Sequence, residues 1–231
     1  MLRTKIIPLL ILTAIISGCG NEQKKDAEAG KPAKRPAETV PGSEEAAAKQ
    51  QNILFFGTSL TAGYGVEPTE AYPALIQKKI DSLHLHYKVI NGGLSGETSA
   101  AGRNRIDWLL KQHIDIFVLE LGANDGLRGL PLRETRTNLQ AVIDKVKKKY
   151  PNAQMVMLGM QMPPNLGADY TAEFKALFSD LATKNNMTYV PFLLDGVGGV
   201  SRLNQQDGIH PTAEGHQILA QNVWSKLQGI L

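Results

Sequence analysis

Asp207-Gly-Ile-His210-Pro211 places a carboxylate three residues before an imidazole on what reads as a tight loop. At that spacing the carboxylate can hold the Nδ1–H of the ring while Nε2 faces elsewhere. A serine hydroxyl needs this pairing to become a nucleophile at neutral pH. Ser59, in Gly57-Thr-Ser-Leu60, sits on a turn with further glycines at Gly63 and Gly65. Asn124, in Glu120-Leu-Gly-Ala-Asn-Asp-Gly126, carries an amide able to donate to a developing oxyanion. Gly96, in a glycine-rich loop, can bring a backbone N–H to the same point. Taken singly, each residue has an ordinary reading. Ser, Asn, Asp and Gly are usual turn residues, and Asp207 could cap the helix that follows while His210 lies on the surface. Taken together they supply a nucleophile, a base with its orienting group, and two oxyanion donors.

The elements between these segments decide whether they can meet. Asn52–Phe56 is a short apolar run stopped by Gly57, and Ile114–Leu121 is the strongest strand pattern in the chain. Tyr87–Ile90, Gln154–Met160 and Thr188–Val190 read as further strands. Helical spacing recurs over Tyr72–Leu83, Ser99–Gln112, Leu132–Tyr150, Ala168–Asn185 and Ala213–Leu231. Strand and helix alternate, and the strands are nearly continuously apolar, so a parallel sheet covered on both faces is expected. In such sheets the active site lies at the carboxyl ends of the strands. That edge holds the turn after Phe56, the loop after Ile90 and the loop after Leu121, with Asp207–His210 before the last helix.

Rival motifs fail. A phosphate-binding GxxxxGK[ST] loop is missing, and in a GxSxG elbow Thr61 stands where the second glycine belongs. His84 and His86 lack a third ligand nearby in sequence and are read as solvent-facing, and His216 as exposed or half-buried. Met155, Met157, Met160 and Met162 are expected as strand core and pocket wall rather than a ligand set.

The 231 residues, 42% of them hydrophobic, fit one ordinary globular domain. Residues 1–50 carry 8 of the 25 basic and 6 of the 22 acidic side chains, so 51–231 is close to neutral. That balance gives no support for a nucleic-acid partner. The single cysteine, Cys19, excludes an intrachain disulfide. Before it run a basic start, the apolar stretch Ile6–Ile16 and the small residues Ser17 and Gly18. The apolar stretch is too short to span a bilayer and has the length of a secretory signal core. Ile16-Ser17-Gly18-Cys19 looks like a bacterial lipobox, so 1–18 is read as a lipoprotein signal peptide and Cys19 as the lipidated residue. Residues 19–50, rich in Ala, Glu, Lys and Pro, are expected to be a tether, and 51–231 the working domain.

Phe56-Gly-Thr-Ser-Leu-Thr-Ala-Gly-Tyr64, Gly93-Leu-Ser-Gly-Glu-Thr98, Leu121-Gly-Ala-Asn-Asp-Gly126 and Asp207-Gly-Ile-His210-Pro211 resemble, in this order, the four sequence blocks of GDSL/SGNH hydrolases. The resemblance runs over essentially all of 52–231. Through Glu120-Leu-Gly-Ala-Asn-Asp-Gly-Leu-Arg-Gly129 the chain is similar to bacterial thioesterase I/lysophospholipase and arylesterase proteins. The resemblance implies a three-layer, flavodoxin-like α/β fold with a five-stranded parallel sheet. It implies Ser59 as nucleophile, His210 as base and Asp207 as its partner. Ser59 N–H, Gly96 N–H and the Asn124 side chain would form the oxyanion hole, and no metal or organic cofactor is called for. The family usually has Asp where this chain has Thr58, which keeps a hydroxyl for bonding within the turn but removes a negative charge.

The expected activity is hydrolysis of carboxylic ester or thioester bonds in acyl esters or lysophospholipids, with Leu127–Leu130 and Met162–Ala168 offering apolar groups to an acyl chain. The alternatives are an O-deacetylase of envelope carbohydrate and a non-catalytic binding lipoprotein. The expected partners are a small acyl-ester substrate and a bilayer reached through Cys19, with the chain a monomer on the outer-membrane or periplasmic side of a bacterial envelope.

Overall fold

The computed structural model describes residues 50–231. The signal-peptide, Cys19 and tether readings lie outside the described residues, apart from Gln50. Twelve regular elements follow in order, beginning with β1 (Gln51–Gly57), α1 (Ser59–Ala62), α2 (Tyr72–Ser82) and β2 (Tyr87–Gly93). Next come α3 (Ser99–Leu109), β3 (Ile116–Glu120), α4 (Ala123–Leu127) and α5 (Leu132–Lys149). The chain then forms β4 (Gln154–Leu158), α6 (Ala168–Asn185), β5 (Thr188–Val190) and α7 (Ala213–Leu227). The strands form one parallel sheet in the order β2-β1-β3-β4-β5, the five-stranded architecture expected.

The apolar runs become strands because both faces of the sheet are covered. Ile53–Phe56 and Phe117–Leu119 are fully buried. Alternation sends Phe55 one way, edge-on to Tyr72 of α2, and Phe56 the other, toward Gly102 of α3. Helix α2 packs on α7, while α3, α5 and α6 pack in succession. In α5 the buried Leu139, Val142, Ile143 and Val146 trace one helical stripe, and the helix stops ahead of Pro151.

Element ends differ modestly from the sequence reading. Helix α3 ends at Leu109 rather than Gln112, and α7 at Leu227 with one tight 3₁₀ turn beyond it. Two short helices, α1 and α4, replace what read as plain turns. Each begins directly after a central strand, and both carry residues of the site. No helix of the described residues is long and apolar enough to cross a membrane.

Candidate active site

Strand β1 delivers Ser59 as the first residue of α1. The turn closes through Ala62 N–H to Thr58 O at 2.9 Å and Gly63 N–H to Ser59 O at 3.0 Å. Gly63 ends it in the left-handed region at φ 78°, where an added Cβ would also lie 2.6 Å from that of Ala71. The hydroxyl of Ser59 therefore rides on a rigid corner at the carboxyl edge of the sheet.

His210 arrives from the loop before α7. Its Nε2 lies 2.8 Å from Ser59 Oγ, and its Nδ1 lies 2.6 Å from Asp207 Oδ2. The other Asp207 oxygen accepts the backbone N–H groups of Ile209 and His210, each at 3.0 Å. Asp207 is thus no helix cap. Thr212 performs that task for α7, accepting from Gly215 N–H. The hydrogen bonds from His210 and Ile209 hold the Asp207 carboxyl down at about 2. It is ionised at neutral pH and acceptor-only, so Nδ1 carries the ring proton and the Nε2 lone pair faces the serine O–H.

Gln205 ties the two halves of this arrangement together. Its side-chain amide donates to Tyr64 O at 2.7 Å and Pro211 O at 3.0 Å, while its N–H donates to His210 O at 2.7 Å. Tyr64 in turn packs on the His210 ring, with centroids 4.7 Å apart. Neither link had a signal in the sequence. The bond from Gln205 to Tyr64 joins residues 141 apart in the chain, and Gln in a loop carries no motif.

The loops carrying Gly96 and Asn124 are braced from below. Gly96 has φ 77°, a left-handed conformation suited to glycine, and its backbone is exposed at the cleft. Beside it Glu97 is buried and takes two 2.6 Å bonds from Arg105, which also donates to Gly92 O. Asn124 lies in α4 and spends one amide hydrogen on Glu97 O at 3.1 Å. Its neighbour Asp125 is buried and accepts Ser99 N–H at 2.8 Å and Ser99 Oγ–H at 2.5 Å. The loops carrying Gly96 and Asn124 are therefore locked to each other.

Ser59, Gly96, Asn124 and His210 all line one cleft of about 730 Å³. Leu127, Met160, Met162, Pro163 and Pro164 form part of its apolar wall, as the sequence suggested for two of these segments. Phe192 and Leu194, which the sequence reading left out, extend that wall. They follow β5, so the rule that selected the other loops would have found them had it been applied to the shortest strand. Met155 and Met157 are strand core, and His84 and His86 are exposed, as expected.

Two expectations need correcting. His216 is 1% exposed, not at the surface. Its Nδ1 accepts Tyr72 N–H at 3.3 Å, and burial pushes its pKa down to about 4, so it stays neutral. The Thr58 hydroxyl does not bond within its own turn. It turns under β1 to the carboxyl group of Glu120. Among the described residues no set of three or more His, Cys, Asp or Glu side chains is placed to hold a metal ion.

Residues 55–218 match the model of the GDSL-like Lipase/Acylhydrolase family. The chain is 37% identical over 190 residues to the esterase TesA of Pseudomonas aeruginosa, covering 82% of this chain and 92% of that protein. It is 35% identical over 186 residues to thioesterase 1/protease 1/lysophospholipase L1 of Escherichia coli strain K12, covering 80% and 87% respectively. The crystal structure of the psychrotrophic esterase EstA from Pseudoalteromonas sp., inhibited by monoethylphosphonate, superposes with a TM-score of 0.72 at 32% identity. That match covers 78% of this chain and 98% of EstA.

Proposed function

We infer the reaction from a plain premise: the chain belongs to the GDSL-like Lipase/Acylhydrolase family and is a serine ester hydrolase. Ser59, His210 and Asp207 are proposed as its catalytic groups. The observation that carries this is the unbroken chain of contacts from Asp207 through His210 to Ser59, at 2.6 and 2.8 Å, opening on an apolar cleft.

In the proposed cycle Ser59 Oγ attacks the acyl carbonyl while Nε2 of His210 takes the hydroxyl proton. Asp207 stabilises the imidazolium that results. The tetrahedral oxyanion is received by Ser59 N–H, Gly96 N–H and the Asn124 amide. His210 then protonates the departing alkoxide or thiolate, leaving an acyl-serine. Water, deprotonated by His210, attacks that ester and returns Ser59 to its starting state.

The volume of about 730 Å³ and the apolar lining of the cleft favour an acyl chain over an acetyl group. Relatives named esterase, thioesterase and lysophospholipase point the same way. The substrate class proposed is medium- or long-chain acyl esters, including thioesters and lysophospholipids. The test is hydrolysis of nitrophenyl esters from acetyl to dodecanoyl, with Ser59→Ala as control. Serine-dependent cleavage that rises with chain length is expected. Cleavage confined to the acetyl ester would instead fit a carbohydrate O-deacetylase, and no cleavage a binding protein.

The anchor reading is carried as a separate proposal on the sequence alone. Cys19, behind its signal-like segment, would take lipid and hold the domain at a bacterial envelope membrane. Incorporation of labelled palmitate that survives in Cys19→Ala would contradict it.

A further inference from the structure

One fully buried acidic group has no part in the reaction above. Glu120 ends β3 in register with Gly57 of β1, and both face the side of the sheet covered by Tyr72. Gly57 has no Cβ to obstruct it. A Cβ there would fall 2.6 Å from Glu120 Oε2 and 2.1 Å from Thr61 Oγ1. Into that space the carboxyl group reaches both ends of the nucleophile turn. It accepts Thr58 N–H at 2.8 Å, the Thr58 hydroxyl at 3.0 Å and the Thr61 hydroxyl at 2.9 Å. Thr61 Oγ1 is also 2.8 Å from Tyr72 Oη.

The pattern of partners is one-sided. A backbone N–H can only donate, and the two hydroxyls, like the phenol behind them, can all point their protons inward. An ionised carboxylate satisfies every member of this set. A protonated one must itself donate, so a threonine hydroxyl has to turn its proton away from the carboxyl group; for Thr61 the acceptor left is Tyr72 Oη, whose own proton must then leave the brace.

We propose that Glu120 is a positioning residue for Ser59, and that its ionised form, held by Thr58 and Thr61, sets the reactive geometry of the nucleophile turn. This rests on Ser59 being the nucleophile. Among the described residues Glu120 is the acidic group bonded to that turn, so its charge sets the state of the brace.

The surroundings make that charge responsive to pH. Burial pushes Glu120 up to about 7 against the pull of its hydrogen bonds. From α2, Tyr72 faces it, with burial and the Glu120 charge raising the phenol well above its usual value, so it stays neutral. From α7, His216 stacks behind Tyr72 at 6.3 Å between ring centroids and is neutral too. Thr58 and Thr61 do not titrate, and the Arg105–Glu97 pair lies across the sheet, behind Phe56. No cation among the described residues pairs with Glu120.

The test is the pH dependence of kcat/KM and kcat from about pH 5 to 9 in the wild type, Glu120→Gln and Thr58→Val. Near pH 5 the wild-type carboxyl is itself neutral, so Glu120→Gln is expected to match it within about twofold. Above pH 8 the variant is expected to fall behind by roughly tenfold to a hundredfold, in kcat rather than KM, the scale of a small misplacement. Thr58→Val removes one donor to the charged form and is expected to move the acid limb upward by about half a pH unit or more. A Glu120→Gln to wild-type ratio that is constant with pH would reduce Glu120 to a structural part and overturn the proposal.

The backbone amide resonances of Thr58 and Thr61, which bond the Glu120 carboxyl group, give a second readout that needs no turnover, recorded in Ser59→Ala if required. They should show a titration that Glu120→Gln abolishes and Thr58→Val moves upward. Its absence overturns the proposal even if esterase activity is strong. Its presence without any hydrolysis leaves the brace standing and removes the esterase reading instead.

Discussion

Two buried carboxylates hold the two sides of the cleft in different ways. Glu97, under the Gly96 loop, meets the guanidinium of Arg105 through two bonds of 2.6 Å. Glu120, under the Ser59 turn, meets only neutral donors from Thr58 and Thr61. An ion pair with forked geometry fixes a loop through charge and shape together. A carboxylate among hydroxyls fixes a turn only while it keeps its own charge, and burial works against that charge. The Gly96–Asn124 side is therefore expected to fail by mutation, and the Ser59 side also by protonation.

The largest effect should come from breaking the ion pair. Arg105→Ala leaves a buried Glu97 carboxylate without its partner and is expected to cost roughly 3–5 kcal/mol of stability, read by denaturant unfolding. Asn124→Ala leaves that pair intact but removes a donor facing the cleft. Turnover should drop about 10²- to 10³-fold at every pH, with the fold unchanged. A loss confined to one end of the pH range would assign Asn124 to the wrong side of the comparison.

The next effect concerns sign rather than size. Glu120 has a folded pKa raised to about 7 from 4.5, so the folded state binds the extra proton between those values and stability falls as pH rises through them. His216 is lowered to about 4 from 6.5, so the unfolded state binds the extra proton and stability falls as pH drops through that window. Each slope spans about 3 kcal/mol, and over about pH 4.5 to 6.5 they oppose. Melting temperature in the wild type should be nearly flat there. In Glu120→Gln it should climb with pH, exposing the His216 slope. A flat curve in the variant would mean that the two slopes have been misassigned.

The smallest effect is steric. Gly57→Ala pushes a methyl group between Thr61, Glu120 and the Glu120 carbonyl and is expected to cost about 2 kcal/mol. The same change at Gly96 meets no atom within 4 Å, so any loss there reflects its positive φ alone. Comparing the two by thermal melting separates packing from backbone strain.

Most of the fold was legible because its elements are locally consistent. Ile53–Phe56 and Ile116–Leu119 are apolar enough to be nothing but buried strands, and the α5 stripe at Leu139, Val142, Ile143 and Val146 points inward as its spacing requires. Ser59, His210 and Asp207 were legible as types on loops at one sheet edge, and the structure brings them within hydrogen-bonding distance. The supports were not legible. Glu120 passed inside the Ile114–Leu121 strand pattern without a role of its own, because only the β1–β3 register puts it opposite a glycine. His216 read as an exposed or half-buried helix residue, because its full burial depends on Tyr72, 144 residues away. Local patterns reveal elements and the groups they present, whereas the polar contacts beneath a site join distant segments.

The central claim is that Ser59 is the atom-bearing nucleophile of the Asp207–His210–Ser59 chain. It is tested most directly by treating the protein with a reactive alkyl phosphonate ester and mapping the adduct by peptide mass spectrometry. The account predicts one adduct per chain, on Ser59, with esterase activity lost in step and no labelling in His210→Ala on the same time scale. A labelled residue other than Ser59, or full activity in a protein whose Ser59 is completely modified, would contradict it.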